Sequence, residues 1–304
     1  MSDIAAPKPR RPLLGDGILA QALRGILDSK AATLAAIACL ALVAVAILAP
    51  WIAPQDPYDL ASLSIMDGRL PPGSESMDGW TYWLGTDAQG RDMLSAMLYG
   101  LRTSLGVGML SGLFALAVGT TLGLVAAYFG GRIDTLVMRV VDLMLGFPTI
   151  LVALMMLAVL GQGVGKVILA LVVVQWAYFA RAVRAAALVE RGKEYVEAAQ
   201  CLGLSRARIL FSHLLPNCLP PVIVIATIQV AHAIAAEATL SFLGIGLPIT
   251  EPSLGLLIAN GYQVLLAGLY WISVFPGLLL LALIFSINIV GDRLREALNP
   301  RLQK

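Results

Sequence analysis

The residues that could do chemistry are few, and several sit inside apolar runs. Gln229, His232 and Glu237 share one such run, and Gln175 lies in another. Polar and ionisable side chains inside a membrane are costly, so each needs a partner or a role. These four could line a solute path, with Glu237 accepting a hydrogen bond from an ammonium or a peptide N–H. Hydrogen bonding to helices of a partner membrane chain is the alternative. Arg139 and Asp142, three residues apart, are expected to form an ion pair along one helix face. Catalytic machinery is missing. A nucleotide phosphate loop needs G-x-x-x-x-G-K-[ST], but before Gly165-Lys166 the first Gly position is Leu160, and Val167 replaces the hydroxyl residue. No nucleophile–base pair or metal-ligand cluster is visible, so no catalytic residue and no metal are expected. Cys39, Cys201 and Cys218 fit neither a disulfide framework nor a zinc site.

The richest segment is polar and basic. It runs Glu194-Tyr195-Val196-Glu197-Ala198-Ala199-Gln200-Cys201-Leu202-Gly203-Leu204-Ser205, then through Arg206 and Arg208 to Leu215-Pro216. The pattern predicts a short helix with a narrow Ala face. Gly203 can end it in the left-handed conformation. Pro216 is placed at the start of the following apolar helix, where a missing N–H costs little. Such a helix, exposed and flanked by cations, suits a groove on a partner protein.

These segments must be held by apolar elements. Of the 304 residues 59% are hydrophobic and 13% charged, and mean hydropathy is +0.83. Soluble domains carry about 25% charged residues, so the excess apolar surface is expected to face lipid. A formal charge of +2 does not point to nucleic acid. Crossing the hydrocarbon core takes about 20 apolar residues. Six spans are predicted, at 31–52, 103–129, 137–160, 166–188, 217–240 and 270–290. The first run is longer than a signal-peptide core and is read as a retained helix. With both termini in the cytoplasm, 17 of the 21 Lys and Arg residues fall inside, as the positive-inside rule requires.

The chain therefore divides into a cytoplasmic segment 1–30 and a membrane domain 31–304, with an outer loop 54–101 and a cytoplasmic loop 190–215. Ile18, Leu19, Ala22, Leu23, Ile26 and Leu27 recur at helical spacing, predicting an amphipathic helix at the inner surface or docked on the bundle. Ser104, Gly108, Gly112, Gly119 and Gly123 predict close helix packing along span two. Asp56, Asp59, Asp67, Glu75, Asp78, Asp87 and Asp92 make the outer loop acidic, either as a solvated surface or as a contact for a delivery protein.

Glu197-Ala198-Ala199, then Gly203, then Leu215-Pro216 resembles the coupling loop of ABC importer permeases. His213 before Leu-Leu-Pro-Asn is similar to the dipeptide/oligopeptide/nickel branch of that family. Leu84–Asp92, Gly131–Asp134 with Phe147-Pro148, Leu240–Gly246, and Gly291–Arg295 with Asn299-Pro300-Arg301 resemble its other patterned stretches in order, and the long first outer loop resembles its C-type permease. The resemblance implies an all-α, six-helix, type I importer permease in a bacterial inner membrane. It implies a second permease, two ATPase subunits or domains and an external solute-binding protein as partners. ATP and Mg would be held by the ATPases and no cofactor by this chain. The coupling role would fall to Glu194, Tyr195, Glu197, Ala198, Ala199, Gly203, Leu204, Ser205, Arg206, Leu215 and Pro216. The implied cargo is a di- or oligopeptide, with nickel or a glutathione-like tripeptide as alternatives. A secondary transporter would need internal repeats or an ion site near the midplane, and neither is visible.

Overall fold

The computed structural model describes residues 18–59, 63–77 and 79–298. Lys8, Arg10 and Arg11 of the basic N-terminal segment, Asp78, Asn299-Pro300-Arg301 and Lys304 lie outside the described residues. The described residues form a helix bundle with one small two-stranded sheet, Ser74–Glu75 paired with Thr81–Tyr82. Its elements are α1 (Ile18–Leu27), α2 (Lys30–Ile52), α3 (Met93–Phe129), α4 (Gly131–Gly146), α5 (Thr149–Leu160), α6 (Val164–Arg191), α7 (Glu194–Cys201), α8 (Arg206–Phe242), α9 (Leu254–Tyr262) and α10 (Trp271–Ala297). Among the described residues, α2, α3, α6, α8 and α10 are each long and apolar enough to cross a membrane, and α4 and α5, bent against each other, pass the same test only when taken together.

That bent pair corrects the continuous third span expected at 137–160. The helix breaks at Phe147-Pro148, and α4 and α5 meet at 90°. Proline bars the residue before it from helical backbone. Phe147 accordingly sits at φ −97°, ψ 144°. At 1.5 Å per residue α5 is about 18 Å long, too short to cross about 30 Å of hydrocarbon by itself.

Glycines set the spacing at the centre. A Cβ on Gly108 would lie 2.5 Å from Ile234 and one on Gly112 would lie 3.1 Å from Val230, both on α8. Farther along α3, a Cβ on Gly119 would lie 2.3 Å from the Trp176 carbonyl, and one on Gly123 2.6 Å from that of Ala180. One face of α3 thus packs α8 and then α6 at backbone distance. Three apolar clusters follow the bundle axis. One joins Ala46, Leu101, Ile234 and Leu283, and one joins Val107, Leu157, Leu171 and Leu240. The third lies at the end bearing α7 and holds Leu124, Val183, Leu210 and Leu214.

Helix α3 starts ten residues before the predicted span, so the folded outer segment ends at Asp92. The acids there are not simply a solvated surface. Asp67 is buried and accepts from Ser76 Oγ and Tyr82 OH, both at 3.1 Å. Asp87 pairs with Arg91 at 2.7 Å, both side chains almost fully buried. Asp92 caps α3 by accepting from the Ser95 N–H at 2.8 Å. Trp271 Nε1 donates to the Thr86 carbonyl at 3.1 Å and clips this segment to α10. Asp56, Asp59 and Glu75 remain exposed.

Candidate functional site

Helix α7 stands at the bundle end, where Val196 and Ala199 enter the same apolar cluster as Leu124, Val183 and Leu214. They are one helical turn apart, so a single narrow stripe anchors α7. Glu194, Glu197, Ala198 and Cys201 are exposed, and Leu202 at the tip is 78% exposed. The helix ends as the Gly203 position predicts. Gly203 has φ +70°, its N–H donates to the Gln200 carbonyl at 3.0 Å, and the Leu204 N–H donates to that of Ala199 at 3.2 Å. These two bonds satisfy carbonyls that a helix C-terminus otherwise leaves open. Leu204 folds back onto the cluster. Ser205 then caps the next turn by accepting from the Arg208 N–H at 3.4 Å.

Polar contacts fix the angle of α7. Tyr195 OH donates to Glu190 Oε2 at 2.9 Å and accepts from Asn217 Nδ2 at 3.3 Å. Lys193 Nζ bonds the other Glu190 oxygen at 2.6 Å. Burial, and then the Glu190 carboxylate, push the Tyr195 phenol up to about 12. Arg191 donates to the Ala127 carbonyl at 2.9 Å, and the Arg206 guanidinium lies 5.7 Å from the Phe129 ring centre. Tyr195 therefore ties α7 to the ends of α6 and α8, while Arg191 and Arg206 tie those two ends to the end of α3. Of this set, Tyr195 and Arg206 belonged to the expected coupling residues. Glu190, Arg191 and Asn217 did not, because their contacts span 5 to 64 residues and leave no local pattern.

Helix α8 begins at Arg206, not at Pro216 as the sequence suggests. A wide π-helical turn at Ile209–Leu214 intervenes, and regular helix resumes at Leu215 with Pro216 as its second residue. The wide turn lets the Leu215 N–H reach back to Leu210, and Pro216, which has no N–H, follows. Pro216 is exposed and Leu215 half-buried against the cluster.

The polar residues inside the bundle fall into two groups. Gln175, Gln229 and His232 line one cavity of about 60 Å³ with Thr149 and Tyr178. His232 is exposed at its rim, whereas both glutamines are buried. Gln175 Nε2 donates to the Gln229 carbonyl at 3.4 Å, and Gln175 Oε1 has no bonding partner among the described residues. Glu237 lies elsewhere. It is fully buried, and its two oxygens accept from Ser104 on α3 at 2.8 Å and Ser241 at 2.7 Å. It does not share the cavity of Gln229 and His232. The expected Arg139–Asp142 pair is also replaced: Asp142 pairs with Arg181 on α6, and Asp134 with Arg184. Packing α4 against α6 brings the tertiary partners to these acids. Among the described residues no group of three His, Cys, Asp or Glu side chains could hold a metal.

Residues 119–304 match the family described as the binding-protein-dependent transport system inner membrane component, and residues 18–72 match the N-terminal transmembrane domain of oligopeptide transport permease C. The chain belongs to this permease family. It is 38% identical over 260 residues to a dipeptide transport system permease protein of Haemophilus influenzae, covering 86% of this chain and 87% of that one. A putative peptide transport system permease of Brucella suis is 39% identical over 306 residues, covering 100% and 99% of the two chains. A glutathione transport system permease of Pectobacterium atrosepticum is 34% identical, covering 92% and 90%. Among solved structures, the inward-facing MetNI methionine ABC transporter matches with a TM-score of 0.54 at 23% identity, over 68% of this chain and 98% of that one, which establishes the shared fold. This chain is thus a multi-pass ABC importer permease, a transport subunit and not an enzyme.

Proposed function

We propose that this permease carries di- or oligopeptides across a bacterial inner membrane as one half of a heterodimeric channel. The second half is a homologous permease, two ATPase subunits or domains supply ATP hydrolysis with their own Mg, and an external binding protein delivers the peptide. The observation that carries the reading is α7: a helix held to the bundle by buried Val196 and Ala199, with Tyr195 and Leu204 packed beside them, and with Glu194, Glu197, Ala198 and Leu202 turned outward. The ATPase groove takes that outward face. Closure of the ATPases on ATP displaces α7, the Tyr195 bonds to Glu190 and Asn217 pass the displacement to α6 and α8, and Arg191 and Arg206 carry it on to α3. The bundle then changes which side its solute path opens to. Gln229 and His232 belong to that path, since a polar rim on an otherwise apolar span needs water or a partner. Glu237 holds helices together beside it.

Peptide cargo is the reading the relatives' names favour, and a glutathione-like tripeptide is the competing cargo. The deciding experiment is reconstitution of the tagged complex with its binding protein and ATPases in proteoliposomes. ATP-dependent uptake of a labelled dipeptide, lost in Leu202→Asp, is expected. Uptake that proceeds without ATPase subunits would refute the coupling reading. Uptake of glutathione with no dipeptide competition would refute the cargo.

A further inference from the structure

A second cavity shares no lining residue with the polar one. It encloses about 590 Å³ between α1 and the last turns of α10, lined by Gln21, Arg24, Asp28, Arg293 and Glu296. Its floor is a close helix contact, since a Cβ added to Gly25 would lie 2.2 Å from the Cβ of Ala297. Arg293 Nε donates to the Gly25 carbonyl at 2.9 Å and another guanidinium nitrogen pairs with Glu296, so the cation is fixed in place.

Two features set the depth of this cavity. It adjoins the residues just before α2, the first span, and the end of α10, the last one. On α1, Leu23 and Leu27, one turn apart, are 60% and 67% exposed. An exposed leucine stripe beside charged residues is how a helix lies in a membrane surface. The cavity therefore opens at lipid headgroup level, on the same side as α7.

Its charges are mixed and balanced, with two guanidiniums and two carboxylates. A bare anion would meet Asp28 and Glu296 as well as the arginines. A ligand bearing both a phosphate and a primary ammonium satisfies both signs. Arginine suits the phosphate, and the carboxylates accept from the ammonium. We infer that this groove is a binding site for a zwitterionic phosphoethanolamine lipid headgroup, and that the bound lipid joins the N-terminal helix to the last span. The inference stands apart from the coupling and cargo readings.

The test uses the assembled importer in nanodiscs containing phosphatidylethanolamine and phosphatidylglycerol, with retained lipids counted by native mass spectrometry. Phosphatidylethanolamine is expected to be enriched over its bulk share. Arg24→Gln removes one charge-assisted contact and lowers retention about tenfold. Asp28→Asn keeps the phosphate partner but removes an ammonium partner, so the preference shifts toward phosphatidylglycerol. A merely structural role for Asp28 would not switch headgroup preference, and Asp28→Asn alone decides if Arg24→Gln fails to assemble. Retention at the bulk ratio, or unchanged preference in Asp28→Asn, overturns the inference. So does displacement by millimolar inorganic phosphate or free phosphoethanolamine, which would make this a site for a soluble ligand. Lipid retained by the permease pair alone but absent from the assembled importer would make it a protein interface and overturn the inference as well.

Discussion

Replacing Gly203 separates the fold of α7 from its work. The residue has φ +70°, and a Cβ added there meets no other atom within 4 Å. A side chain at this position therefore costs only backbone strain, about 1–2 kcal/mol for an ordinary L-residue, and least for Asn, which tolerates the left-handed region. Three variants divide the effects. Gly203→Asn adds bulk with little strain, Gly203→Ala adds strain with little bulk, and Gly203→Asp adds a charge at an outward turn beside exposed Leu202. All three are expected to insert and to keep the Val196 and Ala199 anchor, because nothing in the bundle touches the new atoms. The assay measures peptide uptake and ATP hydrolysis in the same proteoliposomes, normalised to reconstituted complex. Gly203→Asp should lower uptake at least tenfold, equivalent to about 1.4 kcal/mol of lost docking, while unstimulated hydrolysis persists. Gly203→Asn should retain most uptake. Wild-type uptake by a well-assembled Gly203→Asp complex would refute the assignment of this turn to the ATPase contact. Loss of assembly in all three would refute the claim that the site is open.

Tyr195→Phe removes two hydrogen bonds and should destabilise the α7 anchor by about 1–2 kcal/mol, read as faster amide exchange across Glu194–Cys201. The native phenol keeps its proton up to about pH 12 while an unfolded tyrosine loses it near 10. The unfolded state thus binds fewer protons in that window, and stability contributed by Tyr195 is full below pH 10 and lost as pH rises toward 12. Tyr195→Phe should flatten that decline in a thermal-shift titration. Glu237→Leu strands the Ser104 and Ser241 hydroxyls and should lower stability by about 2–4 kcal/mol, with Glu237→Gln costing less, by thermal denaturation in detergent. Arg184→Ala should destabilise more than Arg181→Ala by roughly 1 kcal/mol, because the Arg184–Asp134 side chains are 30% and 20% exposed and the Arg181–Asp142 side chains 52% and 58%.

What could be read from the residues divides by the range of the interaction. Hydropathy located the five long apolar helices and the apolar stretch of the bent pair, and the Gly203 turn followed from the local chemistry of helix ends. The break at Phe147-Pro148 was within reach, since Pro restricts the residue before it, but a hydropathy window averages across the break. The false Arg139–Asp142 pair shows the limit of local spacing. Residues three apart on a helix can meet, yet Asp142 takes a partner 39 residues away because α6 packs against α4. Periodicity could have separated the polar residues of α8. At 100° per residue Glu237 lies roughly 140° around the helix from His232, whereas Gln229 is about 60° from it. The three spread over an arc of about 140° with Gln229 between the others, and the structure gives Gln229 and His232 to the cavity and Glu237 to Ser104 and Ser241. A substitution on the first face should therefore change uptake without changing stability, and one on the second should do the reverse. His232→Ala tests this. Its rim position leaves no buried partner orphaned, so stability should stay within about 0.5 kcal/mol of wild type while the uptake KM for peptide shifts. A destabilised His232→Ala with an unchanged KM would place the histidine among the structural contacts and leave Gln229 to mark the path.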